Sequence, residues 1–127
     1  MPQITEKIKT FEDACEALGI KSEDFKITYP ENVSHHGKAF AAHMKLVIIA
    51  EALNEGWKPN WSDWDEYKYY PWFRMGSPSG VGFSCLGCGR DFTASDVGSR
   101  LCFKSRELAK YAGNQFEELY KEYFVLE

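Results

Sequence analysis

KYYPWFRMGSPSGVGFSCLGCGRDF, residues 68–92, decides what kind of fold this chain can adopt. Its first seven residues, Lys68 to Arg74, alternate in character and are rich in aromatics, as a strand on a pleated, half-buried surface requires. Pro71 donates no ladder hydrogen bond, which places the strand at an edge or at a bulge. Gly76-Ser77-Pro78-Ser79-Gly80 is dense turn punctuation, and Val81 to Ser84 reads as the strand returning. Gly87, Gly89 and Asp91 then predict a second turn or bulge before Phe92. Further on, Arg100-Leu101-Cys102-Phe103 reads as another short strand, with Leu101 and Phe103 on one face and Cys102 on the other. A small antiparallel sheet of about three strands follows, from residues near 67–75, 80–86 and 99–104.

Outward from this sheet the periodicity turns helical. Thr10-Phe11-Glu12-Asp13 resembles a capped helix start, with Phe11, Ala14, Cys15 and Leu18 on one face and Gly19 as the stop. A second helix is predicted from about Ser34, the N-cap, to Glu55, with Gly56 ending it. Phe40, Val47 and Ile48 lie on one side of it, and Ala42, Leu46, Ile49 and Leu53 on the opposite side. A helix apolar on two sides belongs in the middle of a fold. Ser105 caps a final helix with a stripe of Leu108, Tyr111, Ala112, Gln115, Phe116, Leu119 and Tyr120. The expectation is one α+β domain over residues 1–127, about three helices packed on a three-stranded sheet. A helical domain with only a marginal hairpin is the alternative.

Composition narrows the function classes. The chain has 127 residues, 44% hydrophobic and 27% charged, within the range of one globular domain. A formal net charge of −4 lacks the basic footprint of a general nucleic-acid binder. The apolar run Leu46 to Ala50 is far short of the roughly 20 residues a membrane span needs. MPQITEKIKT lacks the basic start and apolar stretch of a secretory signal. A cytoplasmic protein without a membrane partner is expected, with its four cysteines as reduced thiols.

Residues 57–73, WKPNWSDWDEYKYYPWF, hold eight aromatics in seventeen positions. Most serve to seal a small sheet against its helices, and Pro59 with the following acids favours a loop over the end of the central helix. Exposed aromatics also make stacking platforms for bases, sugars or peptide side chains. Alternation puts Lys68, Tyr70, Trp72 and Arg74 on one strand face, mixing aromatics with positive charge. That face is the candidate surface for a protein partner. A single-stranded nucleic acid would use the same rings, with Arg100, Lys104 and Arg106 for phosphates.

Cys85-Leu86-Gly87-Cys88-Gly89 is half of many zinc sites, and zinc needs four ligands. The sequence holds no second CxxC and no HxxxH. Cys102 is the candidate third ligand, with Cys15, His35, His36 or His43 as the fourth, or a second chain sharing the site. The alternative is a hairpin whose small residues include two cysteines. A redox pair would need the motif at a helix start, where turn-prone Gly89-Arg90-Asp91 stands instead. Cys15 reads as core, and the three histidines as surface or boundary residues. The chain contains no GxGxxG, phosphate loop, GxSxG or HExxH, and spacing pairs no nucleophile with a base. A non-enzymatic module without a cofactor is the reading, with a zinc-stabilised module as the alternative.

Two stretches, LNEGWKPNWSDWDEYKYYPWF (53–73) and VGSRLCFKSRELAKYAGNQFEELYKEYF (97–124), are similar to a family of small bacteriophage and prophage proteins from gut anaerobes. The phrases YKYYPWF and SRLCFKS carry the resemblance, over about two-fifths of the chain. In that family the stretch between them varies and need not carry CxxC, which weakens zinc at Cys85 and Cys88, while Cys102 falls within a family phrase. No activity or catalytic residue is established there. The resemblance therefore implies a mobile-element origin and assigns no residue a role.

Overall fold

The computed structural model of the chain describes residues 3–24, 34 and 36–126. Among them are five α-helices, a short 3-10 turn at Ser22–Asp24 and two strands. In order these are α1 (Ile4–Lys7), α2 (Phe11–Leu18), α3 (His36–Asn54), β1 (Lys68–Arg74), β2 (Ser84–Asp91), α4 (Arg106–Gln115) and α5 (Glu117–Phe124). The architecture is α+β, with a two-stranded antiparallel sheet in place of three strands and five helices in place of three. His35, a candidate metal ligand in the sequence, lies outside the described residues.

Helix α2 begins at a reciprocal cap. The Thr10 hydroxyl accepts the Asp13 amide at 3.1 Å, and the Asp13 carboxylate accepts the amides of Lys9 and Thr10. Such a pair satisfies amides that the first helical turn leaves without partners. Gly19 closes the helix, and Cys15 is buried in the core as the spacing predicts. Helix α3 packs against α2 and α5, which accounts for its two apolar sides. Leu46, Ile49 and Leu53 are fully buried, whereas Phe40 near its start is exposed.

The third predicted strand contracts to a single bridge, Tyr69 to Phe103, with paired backbone bonds of 3.0 and 2.6 Å. Leu101, Cys102 and Phe103 are all buried, so the segment does not alternate as a half-buried strand must. The predicted final helix is broken at Phe116, whose φ of −112° and ψ of 29° leave the helical region. Leu108, Ala112, Phe116 and Tyr120 nonetheless stay buried across the break. One i, i+4 stripe thus serves two helices, and α4 lies on both strands of the sheet.

The hairpin register runs from Lys68 opposite Asp91 to Arg74 opposite Ser84. Val81 to Phe83 belong to the turn, and the returning strand begins at Ser84 and carries the CxxC within it. Trp72 faces Gly87 and Phe73 faces Cys85, so Leu86 is an extra residue that bulges β2.

Candidate functional site

Alternation along β1 sends Pro71 and Phe73 inward and Tyr70, Trp72 and Arg74 outward. The inner face is closed by α4. A Cβ on Gly113 would come within 2.7 Å of Pro71 and 2.6 Å of the Cys85 sulfur, so helix and sheet meet at a position only glycine fits. The outer face carries the exposed aromatics. Trp72 is 55% exposed and meets Tyr70 edge to face at 6.3 Å.

A glycine on the partner strand seats the tyrosine of this pair. Tyr70 is opposite Gly89 and Trp72 opposite Gly87, and a Cβ at Gly89 would lie 2.7 Å from the Tyr70 ring. The tyrosine therefore lies flat over a position without a side chain, a packing known to support glycine in sheets. Burial, and then the Asp91 carboxylate, raise the Tyr70 hydroxyl above its ordinary value, so it is a neutral donor at neutral pH. Leu86, pushed out by the bulge, is a further exposed apolar side chain within the strands of this hairpin.

Lys68 does not belong to this exposed face. It is fully buried, with Nζ donating to the Asp63 carbonyl at 3.1 Å, 3.5 Å from Glu66 Oε1 and 5.2 Å from the Trp61 ring centre. The physical reason is the loop of residues 57–67, which folds across the start of β1. Glu66 also accepts the Asn60 amide at 2.7 Å, so this acid holds the loop rather than standing in solvent.

The cations suggested for phosphates are dispersed. Arg106 lies over the Tyr69 ring and donates to Cys88 Sγ at 3.7 Å. Lys104 is 3.6 Å from Glu55 beyond the end of α3. Arg100 borders a cavity against α1, α2 and α3. None of the three is brought into a row with Tyr70 and Trp72. No family model, curated protein or solved structure matches the chain.

The bulge decides the cysteines. Opposite Phe73 and Pro71, Cys85 and Cys88 share the inner face of β2, although three residues apart they would alternate in a regular strand. Cys85 Sγ donates to the Gly87 carbonyl at 3.5 Å, and burial raises its pKa. Cys102 Sγ donates to the Ser99 carbonyl, and burial pushes its thiol up to about 11. Both cysteines are therefore protonated thiols at neutral pH as they stand in the fold. Among the described residues no three His, Cys, Asp or Glu side chains converge as a metal site requires. His36 is exposed in the first turn of α3. His43 stacks on Tyr123 at 4.6 Å, and burial lowers its pKa, which keeps it neutral.

Sequence reasoning missed two features. Leu86 was hidden by the parity change of the bulge, for which Gly87 inside a strand was the available signal. The cavity bordered by Arg100 was hidden because its walls come from four separate segments. Among the described residues no helix is long and apolar enough to cross a membrane.

Proposed function

We propose that the chain is a non-enzymatic accessory protein of phage or prophage type that binds another protein through the outer face of its hairpin. The observation that carries this reading is the exposed Trp72, set edge to face against a Tyr70 ring that packs over Gly89 of the opposite strand. Rings fixed before binding lose little side-chain entropy on association. Aromatics and arginine also dominate the residues that contribute most to protein interfaces. Arg74, exposed at the end of the same face, suits an acidic group on the partner.

The dispersal of Arg100, Lys104 and Arg106 favours a protein over a single-stranded nucleic acid, which needs cations tracking the rings. The phage-type origin rests on the two resembling stretches. They pack on one another through the Tyr69–Phe103 bridge and the Trp61 to Ser99 bond of 2.6 Å, as parts of one shared unit would.

Affinity capture with wild type and with the Tyr70→Ala, Trp72→Ala double variant tests the assignment. The double variant is expected to keep its circular dichroism spectrum and lose the captured partner. A folded double variant that retains every partner sinks the proposal. Binding to labelled oligonucleotides that weakens steeply with salt would put the nucleic-acid reading in its place.

A further inference from the structure

A cavity of about 1050 Å³ opens between α1, α2, the C-terminal half of α3 and the segments 56–59 and 99–100. Its volume reaches the upper end of small-molecule sites, roughly 300–1,000 Å³. The chain builds it by reversing direction where α3 stops. Glu55 and Gly56 both take positive φ, 49° and 88°, which returns Trp57 to Pro59 along the groove beside the helix.

Named bonds hold the opposing wall. Buried Asn54 donates from Nδ2 to the Cys102 carbonyl at 2.9 Å and accepts the Lys104 amide at 3.0 Å. The Trp61 indole donates to Ser99 Oγ. The cavity is thus fixed by the fold and does not wait for a ligand to form it.

Its lining divides by chemistry. Leu18, Val47 and Trp57 are half-buried apolar walls, while Lys7, Lys58 and Arg100 are exposed. Among the described residues none of these three cations lies within ion-pair distance of a carboxylate. Of the two acids on the lining, Glu55 is engaged by Lys104 at 3.6 Å, which leaves Glu51. A chain of net charge −4 therefore sets three cations, without a carboxylate partner among the described residues, against one remaining acid, Glu51, on a single cavity lining.

We infer that this cavity binds a small amphiphilic anion, with an apolar body against Leu18, Val47 and Trp57 and an anionic head group among Lys7, Lys58 and Arg100. The apolar walls supply affinity by removing hydrocarbon from water. The cations select the head, because an alcohol of the same length offers them only a neutral acceptor and a quaternary amine is repelled by them. Tyr70 and Trp72 take no part, so this site stands or falls apart from the hairpin surface.

Isothermal titration calorimetry of the full chain with octanoate, octan-1-ol and octyltrimethylammonium tests it. Octanoate is expected to bind one to one, about tenfold or more tighter than the other two. The Lys7→Gln, Lys58→Gln, Arg100→Gln variant should lose that preference and keep its fold. Ala17→Trp, at an exposed lining position beside Leu18, should obstruct that wall and weaken octanoate binding. Equal affinities, a preference that survives the triple variant, undiminished binding to Ala17→Trp, or no octanoate binding would each overturn the inference. The wild-type comparison decides by itself if a variant fails to fold.

Discussion

Burying a lysine costs several kcal/mol unless its ammonium keeps partners, and Lys68 keeps the Asp63 carbonyl, the Glu66 carboxylate and the face of Trp61. Its four-carbon stem is buried as completely as its charge, so packing and polarity contribute together. The two are separable by substitution. Lys68→Ala removes both and is expected to destabilise the protein by about 2–4 kcal/mol. Lys68→Met keeps most of the stem and should lose about half as much. Urea unfolding midpoints in the order wild type, Met, Ala would support this account. Equal losses would show that the stem contributes nothing, and a neutral Ala variant would refute the burial itself.

At the scale of elements, short-range chemistry sets where helices begin. The Asp13 carboxylate is held below the usual carboxylate range, chiefly by the Lys9 amide and further by the Thr10 hydroxyl and amide, with burial opposing. A depressed folded value means the unfolded chain binds more protons as pH falls. The cap's contribution is then fully present above the unfolded value of about 3.9 and is lost as pH drops through the lower folded one. The difference in melting temperature between wild type and Asp13→Ala should be constant above about pH 5 and narrow below about pH 4. A difference that does not change with pH would sink this assignment. Caps of this kind are readable because Thr10 and Asp13, or Ser105 and Leu108, lie three residues apart. The break at Phe116 is not readable, since Leu108, Ala112, Phe116 and Tyr120 keep helical spacing straight through it. Leu86 hides β2 in the same way, because one inserted residue reverses the alternation on which strand reading depends.

For the whole molecule, what was legible of the candidate site is what one strand can fix alone. Alternation put Tyr70, Trp72 and Arg74 on a common face, and the register agrees. The burial of Lys68 and the dispersal of Arg100 and Lys104 depend on contacts such as Asn54 with Cys102 and Lys104, which are 48 and 50 residues apart. No local pattern encodes such closures. They also close the core into one continuous cluster joining Ile8, α3, the sheet and Tyr120. Cys85 contributes to it as a packed thiol, its sulfur pressed toward Gly113 and its pKa raised by burial. The reduced protein is therefore expected to give a metal-free mass in native mass spectrometry and to melt at the same temperature with and without a chelator. Stoichiometric zinc, lost together with the fold on chelation, would instead make Cys85 and Cys88 ligands. Two sulfurs cannot complete a four-ligand zinc site, so that outcome would call for further ligands, from Cys102 and a histidine of the same chain or from a second chain, and only in the second case would the same mass spectrum show a dimer.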